Sequence, residues 1–327
     1  MGKEGFMTEK QSTERRRKVV VVGAGVVGAT FCYALAHSGL ADDIVILDIN
    51  EKLAQGQVLD LEHGQPFFPP VSIRVGDPDD YADARVVVVA AGAAQGPGET
   101  RLELLQKNAS IVGRIAEEAA EKNCPGVLLV VSNPVDVLTY VVLKRSGWDR
   151  RRVIGSGTVL DSARFRQLLG SYCGVDVHNV HAYVLGEHGD SEFAAWSMTH
   201  IAGTPIDTYC AASANCADWT TQRKRIEQAV RDSAYHVINY KGATHFAVGL
   251  ALVRITGAIL RGQNSVLTVS TLVDNAYGIK DVCLSVPCIV SEEGVARIIA
   301  SPLPEEEQTA LEASAAVLRA AIDQVGL

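Results

Sequence analysis

Continuous apolar runs alternate with segments of helical apolar spacing through the first half of the chain. The runs Val19–Val22, Ile44–Asp48, Ser72–Val75, Arg85–Ala90, Val127–Ser132 and Val153–Ile154 predict strands. Several are unbroken Val/Leu/Ile, as expected of parallel strands buried on both faces. Helical spacing falls between them, as in Val26–His37 and in Arg101–Lys122, with apolar Leu102, Leu105, Val112, Ile115 and Ala119. The alternation predicts an α/β fold built on a doubly wound parallel sheet, with a ligand crevice at the carboxyl ends of its strands. After about Gly157 the pattern changes. Strand-like pieces (Asn179–Leu185, Val266–Thr271, Val282–Val290) alternate with helices over Asp161–Leu169, Gln222–Tyr240 and from about Pro304. The last strand piece, followed by Ser291-Glu-Glu-Gly294, suggests an antiparallel hairpin. The predicted organisation is a flexible tail over 1–17, a first domain over 18–157 and a mixed α+β second domain over 158–327, with no internal repeat.

Lys18-Val-Val-Val-Val-Gly23-Ala-Gly25-Val26-Val27-Gly28 places a G-x-G-x-x-G triplet between the first strand and the first helix. Gly23 permits the tight turn, Gly25 lets a pyrophosphate approach the backbone, and Gly28 lets helix and strand pack closely. The helix start offers free N–H groups and positive dipole to phosphates. The second strand ends at Asp48, whose carboxylate can accept both adenosine ribose hydroxyls and would repel a 2′-phosphate. Strand, triplet, helix, strand and terminal acid in this order predict a Rossmann-type site for NAD rather than NADP.

Composition narrows the class. The chain has 327 residues, 47% hydrophobic and 21% charged, which suits a two-domain globular protein. The net charge of -8 argues against nucleic acid as a partner. Seven cysteines, without a C-x-x-C pair, read as reduced thiols in the cytoplasm and as small buried hydrophobes, with exposure and ready oxidation the alternative for Cys210 and Cys216. No apolar run reaches membrane-spanning length, and the first seventeen residues lack the apolar core of a signal peptide.

Hydride transfer to a carbonyl also needs a proton donor, a carbonyl polariser and a substrate anchor. Gly186-Glu-His188-Gly-Asp190 offers a histidine, whose ordinary pKa lies near neutrality. Asp161 and Arg164 lie at i, i+3 on a predicted helix and so share a face. An Asp161 carboxylate on the second ring nitrogen would fix the His188 tautomer and stabilise the imidazolium. Arg164 would hold a substrate carboxylate through two parallel bonds. The glycine-rich segment from Gly92 to Arg101 reads as a lid. Its arginine would stabilise charge on the carbonyl oxygen, an effect of roughly 2.7–4 kcal/mol. A surface pair for Asp161 and Arg164 and a polar turn for His188 are the plain alternatives. No metal is expected.

These residues bring the chain close to a known family. Gly23-Ala-Gly-Val-Val-Gly28, Gly98-Glu-Thr-Arg-Leu102, Ser132-Asn-Pro-Val-Asp136, Ile154-Gly-Ser-Gly-Thr-Val-Leu-Asp-Ser-Ala-Arg-Phe-Arg166 and Leu185-Gly-Glu-His-Gly-Asp190 occur in order. From about Lys18 to near its C-terminus the chain resembles the L-lactate dehydrogenases of the lactate/malate dehydrogenase family, in their bacterial allosteric form. The resemblance implies His188 as proton donor and acceptor, Asp161 as its partner, Arg101 as the lid arginine and Arg164 as the carboxylate clamp. It adds Asn133 and Thr244 beside the substrate. It implies NAD held by Gly23, Gly25, Val26, Val27, Gly28, Asp48, Gly92, Ala93, Ser132 and Asn133.

Gln95 stands where the malate branch usually carries arginine. A neutral residue offers a second carboxylate no charge-assisted bond, worth about 1.5–3 kcal/mol, so pyruvate is the expected substrate. Gly96 and Ala94 depart from residues common in the lactate branch. Arg166 and His181 match a cation pair that binds fructose 1,6-bisphosphate between subunits, which implies allosteric activation and a homo-oligomer, usually a tetramer. The alternatives are a malate or other 2-hydroxy-acid dehydrogenase, a non-catalytic NAD-binding protein on the same scaffold, and thiol-based aldehyde oxidation through Cys124 or Cys173.

Overall fold

The computed structural model describes residues 16–94, 96, 98–213, 216 and 218–326. Gln95 and the tail expected over 1–17, apart from Arg16 and Arg17, lie outside the described residues. Arg17 is not loose: its guanidinium pairs with Asp42 at 2.6 Å.

The elements follow in chain order. The first half gives β1 (Lys18–Val22), α1 (Val26–Ser38), β2 (Asp43–Leu47), α2 (Glu51–His63), β3 (Ser72–Val75), β4 (Val86–Val89), α3 (Arg101–Glu121), β5 (Val127–Val130), α4 (Val135–Ser146) and β6 (Val153–Gly155). Then come α5 (Val159–Cys173), β7 (Val180–His181), β8 (Val184–Leu185), β9 (Phe193–Ala194), β10 (His200–Ile201), β11 (Thr204–Pro205), α6 (Ile206–Ala212), α7 (Trp219–Lys241) and α8 (Phe246–Leu260). The chain closes with β12 (Ser265–Leu267), β13 (Ser270–Val273), β14 (Val282–Ser285), β15 (Cys288–Ser291), β16 (Gly294–Ile298) and α9 (Glu305–Asp323).

Among the described residues, one sheet runs in the order β14-β13-β6-β5-β4-β1-β2-β3. The six strands from β6 to β3 are parallel, and their Val/Leu/Ile side chains are buried throughout β1, β2, β4 and β5. Strand order reverses between β1 and β4, so the crevice opens where the turns after those strands diverge. β13 and β14, from the second half, extend the sheet antiparallel beyond β6. The main apolar core wraps this sheet, while a smaller cluster gathers around Phe165, Leu169, Trp196 and Ile226.

Three predicted strand pieces of the second half each divide in two. Val282–Val290 breaks at Pro287, which has no N–H for a ladder, into β14 and β15 of different sheets. β15 does form the expected hairpin with β16. Asn179–Leu185 breaks at Ala182, whose carbonyl accepts Arg166 Nε at 3.0 Å. Val266–Thr271 breaks at Thr268, whose carbonyl accepts the Thr158 N–H at 3.1 Å. Side-chain and loop donors there take the acceptors that a continuous ladder would use. Cys210 and Cys216 are buried, because both pack into the smaller apolar cluster rather than onto the surface.

Candidate active site

The dinucleotide crevice is assembled by the turns after β1, β2 and β4. Gly23 has φ +110°, and a Cβ there would stand 2.7 Å from the Ala91 amide nitrogen. A Cβ on Gly28 would stand 1.9 Å from the Gly23 carbonyl oxygen, so helix and turn touch only because residue 28 is glycine. Gly25 differs: a Cβ there meets no protein atom within 4 Å. The protein's own packing does not require glycine at that point, whereas a pyrophosphate resting on the backbone would.

Asp48 Oδ2 accepts the Ala24 N–H at 2.6 Å, and Oδ1 accepts the Asn50 N–H at 2.8 Å. The acid therefore ties the glycine turn to the end of β2 while keeping lone pairs for further donors. Gly23, Gly25, Asp48, Gly92 and Ala93 line one cavity of about 910 Å³. Val26 is exposed and Val27 half-buried at the start of α1. The Ala93 N–H is held by Asn108 Oδ1 at 2.8 Å, and the Ser132 hydroxyl donates to the Ala91 carbonyl at 2.5 Å. An adenosine ribose and pyrophosphate fit this set.

A second cavity, of about 610 Å³, is lined by Arg101, Asn133, Asp161, Arg164, His188 and Glu192 among others. The sequence places these residues far apart, and four pieces of the fold bring them together, Arg101 from the start of α3 among them. Asp161 and Arg164 lie one turn apart on α5. Asn133 follows β5, and its peptide bond to Pro134 is cis. Pro134 is the N-cap of α4. His188 sits on the loop between β8 and β9, where the Gly186 N–H bonds the Ser285 carbonyl and the His188 N–H bonds Asp136 Oδ2 at 2.8 Å.

His188 Nδ1 lies 2.7 Å from Asp161 Oδ2, and Arg164 donates to Asp161 Oδ1 at 2.6 Å. The Asp161 side chain is 2% exposed, that of His188 26%. Burial alone would lower the imidazole pKa, but the Asp161 charge and hydrogen bond, with Asp136 and Glu192 behind them, lift it to about 9. Burial would raise Asp161, yet the facing His188 and Arg164 hold it below the ordinary carboxylate value. Glu192 is buried too, and the nearby His188, Arg164 and Arg231 charges only partly offset its burial. Burial first, then the Asp161 charge, push it up to about 8. The cavity wall thus holds an ionised acid, a protonated imidazole and a neutral acid at pH 7.

Several sequence readings change place here. Arg101 lines the cavity as the first residue of α3, under a Thr100–Glu103 capping box, where the glycine-rich segment meets the predicted helix. Thr244 is half-buried between α7 and α8 and does not line the cavity. Cys124 and Cys173 are buried and line neither cavity. Arg166 bonds Ala182 and lies over the Tyr183 ring at 5.4 Å, while His181 is exposed on β7. The sequence reading gave no role to Asp136, Glu192, Arg231 or Tyr235. An acid inside the apolar stretch of α4 and a second acid four residues after His188 were the available signals.

Similarity to known proteins agrees with this geometry. The lactate/malate dehydrogenase NAD binding domain matches residues 17–155, and the alpha/beta C-terminal domain of the same family matches 158–326. An L-lactate dehydrogenase of Treponema denticola is 59% identical over 312 residues, 95% of this chain and 99% of that protein. L-lactate dehydrogenase 1 of Clostridium acetobutylicum is 49% identical with the same coverage. A solved lactate dehydrogenase from a Medee basin deep-sea metagenome library superposes with a TM-score of 0.93 at 42% identity, covering 96% of this chain and 100% of that one. The minor L-lactate dehydrogenase of Enterococcus mundtii, in its ligands-bound form, superposes at 0.92 with 39% identity, covering 95% and 99%.

Proposed function

The chain belongs to the lactate/malate dehydrogenase family, and on that premise we propose that it interconverts pyruvate and L-lactate with NAD, using His188 as proton donor and acceptor. The carrying observation is the buried Asp161 that braces His188 on one oxygen and Arg164 on the other.

Gly23, Gly25, Val26, Val27, Gly28, Asp48, Gly92, Ala93, Ser132 and Asn133 would hold NADH, which when bound would supply the hydride. Arg164 takes the pyruvate carboxylate through its guanidinium. Asn133 and Arg101 donate to the ketone oxygen, where negative charge develops. His188 delivers its Nε2 proton to that oxygen, and Asp161 keeps the resulting neutral ring in the correct tautomer. In the reverse direction neutral His188 removes the lactate hydroxyl proton. Asp136 fixes the histidine loop through its main chain. Gln95, neutral, favours the methyl of pyruvate over a second carboxylate. Thr244 would act only after closure of the α7–α8 turn toward the substrate. A panel of pyruvate, oxaloacetate and 2-oxoisocaproate with NADH tests the assignment: oxaloacetate as the best substrate would overturn it. Loss of turnover in folded His188→Asn tests the proton role.

We also propose that Arg166 and His181 belong to an intersubunit site for fructose 1,6-bisphosphate, in a cytoplasmic homotetramer. Arg254 is consistent with this reading: burial first, and to a lesser degree the Arg254 charge, lower the Arg166 pKa, so a second cation faces that position. A clustered phosphate would relieve the repulsion. Unchanged pyruvate kinetics with millimolar bisphosphate, across pH 6 to 8, would refute it.

A further inference from the structure

Three cysteines from separate pieces of chain converge in the smaller apolar cluster. Cys173 ends α5, Cys210 lies in α6, and Cys216 stands in the connection leading to α7. All three are buried. Their Sγ atoms lie within 4.8 Å of one another, with Cys216 and Cys173 at 3.8 Å. The point in the plane of the three sulfurs that is equidistant from atoms so spaced lies at most about 2.6 Å from each, close to the ~2.3 Å of a zinc–thiolate bond. A lone buried cysteine is a small apolar filler. Among the described residues, no other three cysteines come together in this way.

We propose that Cys173, Cys210 and Cys216 form a three-thiolate site for a soft divalent cation, zinc, which ties α5, α6 and the start of α7 together. Sulfur-only donors select zinc over magnesium or calcium. Cys173 lies at the carboxyl end of α5, the negative end of the helix dipole, which favours a cation. As each S–Zn bond forms, an S–H proton leaves to water. Zn²⁺ and three thiols become a tris-thiolate anion and three protons, with no change of oxidation state, so uptake weakens as pH falls. Three protein ligands leave one tetrahedral position for a non-protein donor. The site sits at the far end of α5 from Asp161, about 18 Å away along the helix axis. Its role is therefore to brace α5 against α7, whose Arg231 and Tyr235 line the substrate cavity.

The test uses the whole protein, stripped with a chelator and kept reduced, and titrated with Co(II) and then Zn(II). One Co(II) per chain should bind with a near-ultraviolet thiolate-to-cobalt charge-transfer band. One equivalent of Zn(II) should displace it and raise the thermal midpoint. X-ray absorption of the zinc-loaded wild type should show three sulfur neighbours. Cys210→Ser and Cys216→Ser should each abolish the band, and Cys124→Ser should keep it. Absence of the band in the wild type, or its survival in Cys210→Ser, overturns the proposal. So does a Cys173–Cys216 disulfide as the resting state of protein purified without reductant, if no Co(II) is taken up after reduction.

Discussion

Asp161 faces His188 at 2.7 Å through one oxygen and Arg164 at 2.6 Å through the other. One nearly inaccessible carboxylate therefore sets the position of both the proton carrier and the substrate anchor. Asp161→Asn should keep the fold but present an amide that no longer stabilises the imidazolium. The expected loss in kcat/KM for pyruvate is about 10²–10⁴-fold. Asp161→Ala should in addition raise the pyruvate KM, because Arg164 loses its brace. Steady-state kinetics of the two variants separate the effects; equal KM values would contradict the shared role.

The pKa of about 9 for His188 fixes the direction of the pH profiles. Reduction needs the protonated ring, so kcat/KM for pyruvate should hold to about pH 8, where Glu192 ionises, and fall further as pH rises through the His188 value. Lactate oxidation needs the neutral ring and should rise over the same range. The shift is upward from 6.5, so its contribution to fold stability is complete below that value and fades as pH climbs through about 9. Profiles in both directions, with thermal midpoints at matching pH, check this.

Glu192 holds its proton at neutral pH because burial and Asp161 both resist a second negative charge. Once ionised, near pH 8, it would repel the incoming carboxylate beside Arg164. Glu192→Gln should leave pyruvate reduction at pH 7 within about threefold and abolish the rise in pyruvate KM above pH 8. A wild-type KM flat to pH 9 would contradict this.

Gly25 and Gly28 separate cofactor space from packing. Gly28→Ala forces a methyl onto the Gly23 carbonyl and should cost about 1–3 kcal/mol of stability or more. The single methyl of Gly25→Ala meets no protein atom within 4 Å, so its thermal midpoint should stay near wild type while the KM for NADH rises roughly tenfold. Melting curves and NADH titrations distinguish them.

Gln95→Arg should improve kcat/KM for oxaloacetate relative to pyruvate by tenfold or more, consistent with about 1.5–3 kcal/mol for a charge-assisted bond. No gain on oxaloacetate would remove residue 95 from substrate selection.

The parallel strands were legible because burial on both faces leaves unbroken Val and Leu runs, as in Val86–Val89. The His188–Asp161–Arg164 grouping was legible in part from helical spacing, since residues 161 and 164 must share a face. The meeting of α5 with the loop carrying His188 was not, because tertiary packing across 27 positions decides it. Asp136 escaped notice for a related reason: inside an apolar helix a buried acid has no periodic signature, and its partner is a backbone amide. The short strands of the second half misled because Pro287 and the captured carbonyls of Ala182 and Thr268 interrupt ladders that the apolar pattern continues.

The sheet extension by β13 and β14 bears on how the molecule can be cut. A fragment ending after Gly157 would turn β6 into an open edge on the side away from β5 and uncover apolar α4 side chains now covered by the late strands. Such a fragment should precipitate rather than bind dinucleotide on its own. The late hairpin acts as a clasp between the two halves, and calorimetry of the intact chain should record one melting event rather than two.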